Sequence, residues 1–174
     1  MKKSFPYRKI LIVGCGGAGK STLANEMGKR FGLPIVHLDK LWWLPDWKNR
    51  SETEFDALLA RELEKNDWII EGNYLRTFEM RLGYADFCIF LDYDTELCVK
   101  SVYERAEKYK GTTRPDMTDG CIEQIDDEFK EWIATFGETV RPSMLSALEK
   151  CAAPYSVFRT REDTAKWLDG FFVD

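Results

Sequence analysis

Residues 14–21 read Gly-Cys-Gly-Gly-Ala-Gly-Lys-Ser and fit the spacing G-x-x-x-x-G-K-[ST]. The residue types suit one task. A loop of Gly14, Gly16, Gly17, Ala18 and Gly19 lets backbone amides turn inward around a phosphate with almost no Cβ in the way. Lys20 reaches the β- and γ-phosphates, the Ser21 hydroxyl ligates Mg²⁺, and Thr22 hydrogen-bonds near the α-phosphate. The expected ligands are therefore ATP and Mg²⁺. A helix opening near Gly19 adds the positive end of its dipole to the same place.

Positioning such a loop takes a strand before it and a helix after it, and the pattern supplies both. Residues 9–13 predict a short buried strand and 20–31 a helix that stops at Gly32. Further apolar runs at 34–38, 67–70, 85–91 and 155–158 predict four more strands, the first of them ending at Asp39. Helices are predicted over 52–65, opened by a Ser51/Glu54 capping box, and over 95–109, 121–136, 142–151 and 162–171. Short strands apolar on both faces and alternating with helices make a three-layer α/β/α fold. Its centre is a five-stranded parallel sheet with helices on both faces. Ligands of such sheets sit beyond the C-terminal strand ends. There the sequence places Gly14, Asp39, Glu71, Asp92 and Arg159.

Composition narrows the function classes. The 174 residues carry 44% hydrophobic and 32% charged side chains, a globular balance read as a single domain over 1–174. A net charge of −5 makes tight direct binding to DNA unfavourable unless arginines 76, 81, 105 and 114 gather into a local patch. The apolar run after the basic residues 1–9 is too short for a signal peptide or membrane span, so a cytoplasmic protein with no membrane role is expected. Five cysteines without a C-x-x-C pair predict neither a zinc site nor a redox motif. The single histidine, His37, lies in an apolar run, which argues against a histidine-based triad or a multi-histidine metal site.

The stretch IIEGNYLRT at 69–77, the strand ADFCIFLD at 85–92 and the following helix with Arg105 resemble the adenylate-kinase-like P-loop kinases. Arg76 follows Glu71 one place later than in the acid-Gly-aromatic-Pro-Arg pattern of nucleoside monophosphate kinases, and Leu75 stands where that pattern has proline. Over nearly the whole chain, HLDKLWWLPDWK, WIIEGNY, TRPDM and the Arg141-Pro142 pair resemble the bacterial DNA topology modulation proteins, usually grouped with the adenylate-kinase-like ATPases. The resemblance implies a P-loop fold with ATP binding. It also implies a lid over ATP at about 110–120, with Arg105 and Arg114 as phosphate or adenine contacts.

Within that frame, Asp39 is the candidate base or ligand of a metal-bound water, and Glu71 is the alternative. Trp42, Trp43 and Trp47 sit in an acceptor-covering segment, about 40–66, where indoles would stack on a base or sugar. Asn73, Tyr74 and Arg76 are placed by loop position on the acceptor side. Arg159 and Arg161, after the fifth strand, are placed beside the adenine. Arg105 lies on the apolar stripe of its helix and must face a ligand or snorkel to solvent. The expected function is Mg²⁺-dependent transfer of the γ-phosphoryl group of ATP to a small nucleotide- or nucleoside-like acceptor. The alternative is a regulatory NTPase acting on DNA topology or a protein partner.

Overall fold

The computed structural model describes residues 3–172. Its centre is a parallel sheet of five strands: β1 (Lys9–Gly14), β2 (Ile35–His37), β3 (Trp68–Glu71), β4 (Phe87–Leu91) and β5 (Tyr155–Phe158). They lie in the order β2-β3-β1-β4-β5. Ile10, Leu11, Ile12 and Val13 of the central strand are all 0% exposed. Successive side chains point to opposite faces, so full burial of all four requires helices on both faces. The helices are α1 (Lys20–Phe31), α2 (Leu38–Trp42), α3 (Glu52–Leu63), α4 (Phe78–Tyr84), α5 (Thr95–Lys108), α6 (Asp127–Thr139), α7 (Arg141–Lys150) and α8 (Arg161–Asp169). This is the expected α/β architecture.

Helix ends follow local chemistry. Gly32 closes α1 in the left-handed conformation, and its N–H returns to Gly28 O. Ser51 and Glu54 form the reciprocal capping box that opens α3. Two of the boundary differences from the sequence expectation bear on the site. Strand β2 ends at His37, because Leu38 turns its fully buried side chain inward to start α2. Asp39 thus sits in the first turn of a short helix, where a carboxylate faces the positive dipole end. The helix expected from 121 begins at Asp127, because the Asp126 carboxylate caps it by accepting from Phe129 N at 2.7 Å. Residues 121–125 instead continue the 110–120 loop, with an isolated antiparallel bridge from Thr113 to Ile122.

One buried charge organises the crossing from β3 to α4. Arg81 is 0% exposed, and its guanidinium donates to the carbonyls of Gly72, Asn73 and Tyr74. Burial draws its pKa down to about 10, still cationic at neutral pH. Arg76, the fifth residue of the same crossing, lies outside and pairs with Asp56 at 2.7 Å. The two arginines should therefore separate in denaturation. Arg81→Met strands three carbonyls and is expected to cost about 3 kcal/mol or more. Arg76→Ala breaks an exposed pair and should cost less than about 1 kcal/mol. Urea unfolding of both variants measures the difference; equal losses would show that Arg81 does not hold the turn.

Candidate nucleotide site and its acceptor side

The loop after β1 is shaped by its neighbours as much as by any ligand. Gly17 and Gly19 have φ of 81° and 92°, a left-handed conformation that other residues seldom adopt. A Cβ on Gly17 would also collide with the Cys98 carbonyl of α5, and one on Gly16 would lie 2.9 Å from the Phe129 ring of α6. The glycines therefore admit α5 and α6 from behind, while their missing side chains leave the amides open in front. Ala18 N donates to Cys15 O at 3.1 Å, and Gly14 N donates to Asn73 Oδ1 at 3.1 Å. Lys20 folds over the loop, its Nζ donating to Gly14 O and Cys15 O at 3.0 Å each. Thr22 is exposed on the first turn of α1.

Ser21 is the meeting point of three elements. Its hydroxyl oxygen lies 3.0 Å from Glu71 Oε1, at the end of β3, and 2.9 Å from Asp116 Oδ2, in the 110–120 loop. A serine has one proton to donate, so it serves one carboxylate at a time. Three hard oxygens thus converge, two of them on side chains built to carry negative charge. That donor set suits Mg²⁺, the ion the glycine-lysine-serine motif predicts at this serine. Glu71 is 4% exposed, and its Oε1 also lies 2.7 Å from His37 Nδ1 at the end of β2. Burial opposes ionisation of Asp116, but Arg114 and the Ser21 hydroxyl outweigh it and hold its pKa below the usual carboxylate range.

Arg114 and Arg105 come together around a residue not foreseen, Glu123. Arg114 is 8% exposed and contacts Asp116 at 2.8 Å and Glu123 at 2.5 Å. Arg105, from α5, lies 3.5 Å from the other Glu123 oxygen and over the Phe129 ring. Burial, and next the neighbouring Arg114, lower the Arg105 pKa. The loop carrying these residues is strapped to the 43–47 segment. Thr118 Oγ1 donates to Trp43 O at 2.7 Å, Cys121 Sγ to Leu44 O at 3.1 Å, Asp46 N to Gly120 O at 3.2 Å and Trp47 Nε1 to Ile122 O at 2.9 Å.

On the acceptor side the Tyr74 hydroxyl donates to Asp39 Oδ1 at 2.7 Å. Tyr74 takes φ 42°, which aims its ring back toward α2. Its ring stacks on Phe55, and Trp42 meets both rings. Trp43 packs edge-on against Trp47. Burial, followed by the nearby Glu71 charge, raises the Asp39 pKa above the usual carboxylate range despite the Tyr74 hydrogen bond.

The sequence-predicted residues thus divide by placement. Lys20, Ser21, Glu71 and Arg114 are gathered around one edge of the sheet, with Asp39 and Tyr74 beside them. Asn73 faces the loop, bracing Gly14. Arg76 turns out to α3, where Asp56 and Glu52 hold it. Arg159 is 71% exposed and 3.7 Å from Asp92, and Arg161 donates to Ser101 Oγ on α5. Asp92 is instead gripped by both arms of Arg141, at 2.7 and 2.8 Å. The four arginines considered for a DNA patch are each buried or paired. Sequence reasoning assigned none of His37, Asp116 and Glu123 to the site. The one available signal was Asp116 two places from Arg114 in TRPDM.

No protein-family model matches this chain. It is 35% identical over 88 residues to an uncharacterized Bacillus subtilis (strain 168) protein, YqaC, and the match spans 48% of each, about half the length of that curated relative. Among solved structures it is similar to shikimate kinase from Acinetobacter baumannii in complex with shikimate, with a TM-score of 0.61 and 15% identity over 94% of this chain and 92% of that one. Shikimate kinase from Bacteroides thetaiotaomicron gives a TM-score of 0.56 at 18% identity, covering 94% and 96%. Deoxyadenosine kinase from M. mycoides with bound dATP gives 0.52 at 16% identity, covering 92% and 99%. At these identities the likeness is one of fold: the chain has the α/β fold of P-loop kinases.

The raised Asp39 pKa gives a stability test with a defined sign. A carboxyl whose pKa is higher folded than unfolded binds its proton more tightly in the folded state, so ionising it costs stability. That cost is fully present above the folded pKa and vanishes below the unfolded one, near 3.8. Asp39→Asn keeps an acceptor for Tyr74 and should raise stability at pH 7, with the gain shrinking as pH falls toward 4. Urea unfolding at both pH values checks this; a loss of stability at pH 7 would contradict the assignment.

Proposed function

We propose that this chain binds ATP with Mg²⁺ and transfers the γ-phosphoryl group to a small hydroxyl-bearing acceptor of nucleotide or nucleoside type. The observation that carries the reading is the Ser21 hydroxyl held between Glu71 and Asp116 at the mouth of a glycine loop bearing Lys20. Phosphoryl transfer asks a protein for position and for charge opposite the transferred group. Mg²⁺, when bound, supplies charge neutralisation between the phosphates, and Ser21 with Glu71 and Asp116 would hold it. Lys20 exchanges its contacts with Gly14 O and Cys15 O for phosphate oxygens. The loop amides and the N-terminus of α1 bind the same anion. Arg114 approaches from the 110–120 lid and Arg105 from α5, and the straps of the lid to 43–47 keep water out. Asp39, held by Tyr74, orients the acceptor hydroxyl and takes its proton. Residues 40–66 cover the acceptor, and the whole of 1–174 works as one domain.

Two further parts of the reading rest on the sequence. The similarity to DNA topology modulation proteins supports a shared ATP-binding role, and five free thiols suit the reducing cytoplasm. No helix among the described residues is long and apolar enough to cross a membrane.

Purified protein with ATP and Mg²⁺ should form ADP in an acceptor-dependent manner. Lys20→Ala should lower that rate by about 10²-fold or more, the scale for removing one preorganised charge stabiliser. Hydrolysis that ignores every acceptor and rises with added DNA would replace this reading with a regulatory NTPase.

A further inference from the structure

On the acceptor side, among the described residues, the cation that lines the cleft is already paired, while Asp39 has no cationic partner. A cleft of about 300 Å³ is lined by Trp42, Phe55, Tyr74, Leu75, Glu52 and Arg76, with Thr77, and the Tyr74 hydroxyl links its wall to Asp39. Among the described residues Arg76 is the one cation lining it, and Asp56 holds both its Nη atoms, at 2.7 and 3.1 Å, with Glu52 3.4 Å from its Nε. The other described cations around the site have partners of their own or are solvent-exposed. Arg81 is buried under three carbonyls. Arg50 donates to Leu41 O at 3.2 Å, beneath the tryptophan segment. Lys40 and Lys48 are exposed. From the lid, Arg114 faces Asp116 and Glu123, and Arg105 shares Glu123. Against these balanced cations, Asp39 has a phenol for its partner, and Glu71 shares a serine and a histidine.

An anionic acceptor would enter this field at a cost. A phosphate or carboxylate group needs a guanidinium or ammonium free to meet it, and burial next to an unpaired carboxylate is repulsive. A neutral polyhydroxylated molecule meets the opposite situation. Asp39 accepts from its hydroxyls, and Trp42, Phe55 and Tyr74 offer flat apolar faces to a ring.

We infer that the phosphoryl acceptor is an uncharged, ring-bearing hydroxyl compound, a nucleoside or cyclic polyol, and that the site discriminates against the same ring carrying a phosphate or carboxylate. The inference rests on the kinase reading above. In the transfer, the acceptor oxygen forms a bond to the γ-phosphorus as the bond from that phosphorus to the β,γ-bridging oxygen breaks. ADP leaves with the bond's electrons, and the hydroxyl proton passes to the Asp39 carboxylate.

Matched pairs test it with the full chain, ATP and Mg²⁺: nucleosides against their 5′-monophosphates, and cyclic polyols against their ring carboxylates. The neutral member of a pair should have the higher kcat/KM by about 10²-fold, the scale on which an unmatched buried charge discriminates. Asp56→Ala, which frees Arg76, should narrow the ratio at least threefold by lowering KM for the anionic member while the neutral member keeps its KM. Equal or preferred use of the anionic member overturns the inference and leaves the kinase reading standing. Failure of both members of every pair, with ATP still hydrolysed, overturns the kinase reading and this inference with it.

Discussion

A guanidinium removed from water must surround itself with acceptors, and Arg81 does so with three consecutive carbonyls, those of Gly72, Asn73 and Tyr74. That demand fixes the path of the chain as it leaves β3, and three site contacts hang from it. Glu71, just before the turn, meets Ser21 and His37. Asn73, inside it, holds Gly14 N at the start of the glycine loop. Tyr74, at its end, is bent to a left-handed conformation and holds Asp39. One buried cation on α4 thus sets the spacing between the glycine loop and Asp39 through backbone carbonyls alone.

The rest of the site is an arrangement of balanced charges. Glu123 sits between Arg105 and Arg114, and Asp116 sits between Arg114 and Ser21. Burial makes each of these charges costly alone, so the cluster holds together only as a set. Its anchorage to 43–47 joins a lid to the opposite wall through four hydrogen bonds, two of them to the carbonyls of Trp43 and Leu44. The indoles here have a structural share as well: Trp47 donates to the lid, and Trp42 packs on Phe55 and Tyr74.

Local signals in the sequence transferred well to the structure. Burial on both faces of β1 and β4 follows directly from unbroken apolar runs, and the α3 capping box and the Gly32 stop need only neighbouring residues. The stripe at 121–136 misled at its N-terminal end, because Ile122 bridges to Thr113 and accepts from Trp47 instead of joining a helix, and Asp126 takes the cap. Arg76 is the sharper case. Its position after Glu71 suggested an acceptor contact, but a carboxylate on another helix, Asp56, decides where its side chain points.

What the sequence alone determined is the fold and the glycine loop at the end of its central strand. Both are written in contiguous residues whose periodicity, glycines and lysine act over a few positions of chain. Tertiary structure decided which charges meet. Asp116 reaches Ser21 across 95 residues and Arg141 reaches Asp92 across 49, and neither separation leaves a pattern in the chain. A charged side chain is neutralised by whatever lies within a few ångströms. That is a property of packing, so the character of the acceptor side emerges only once the helices are in place.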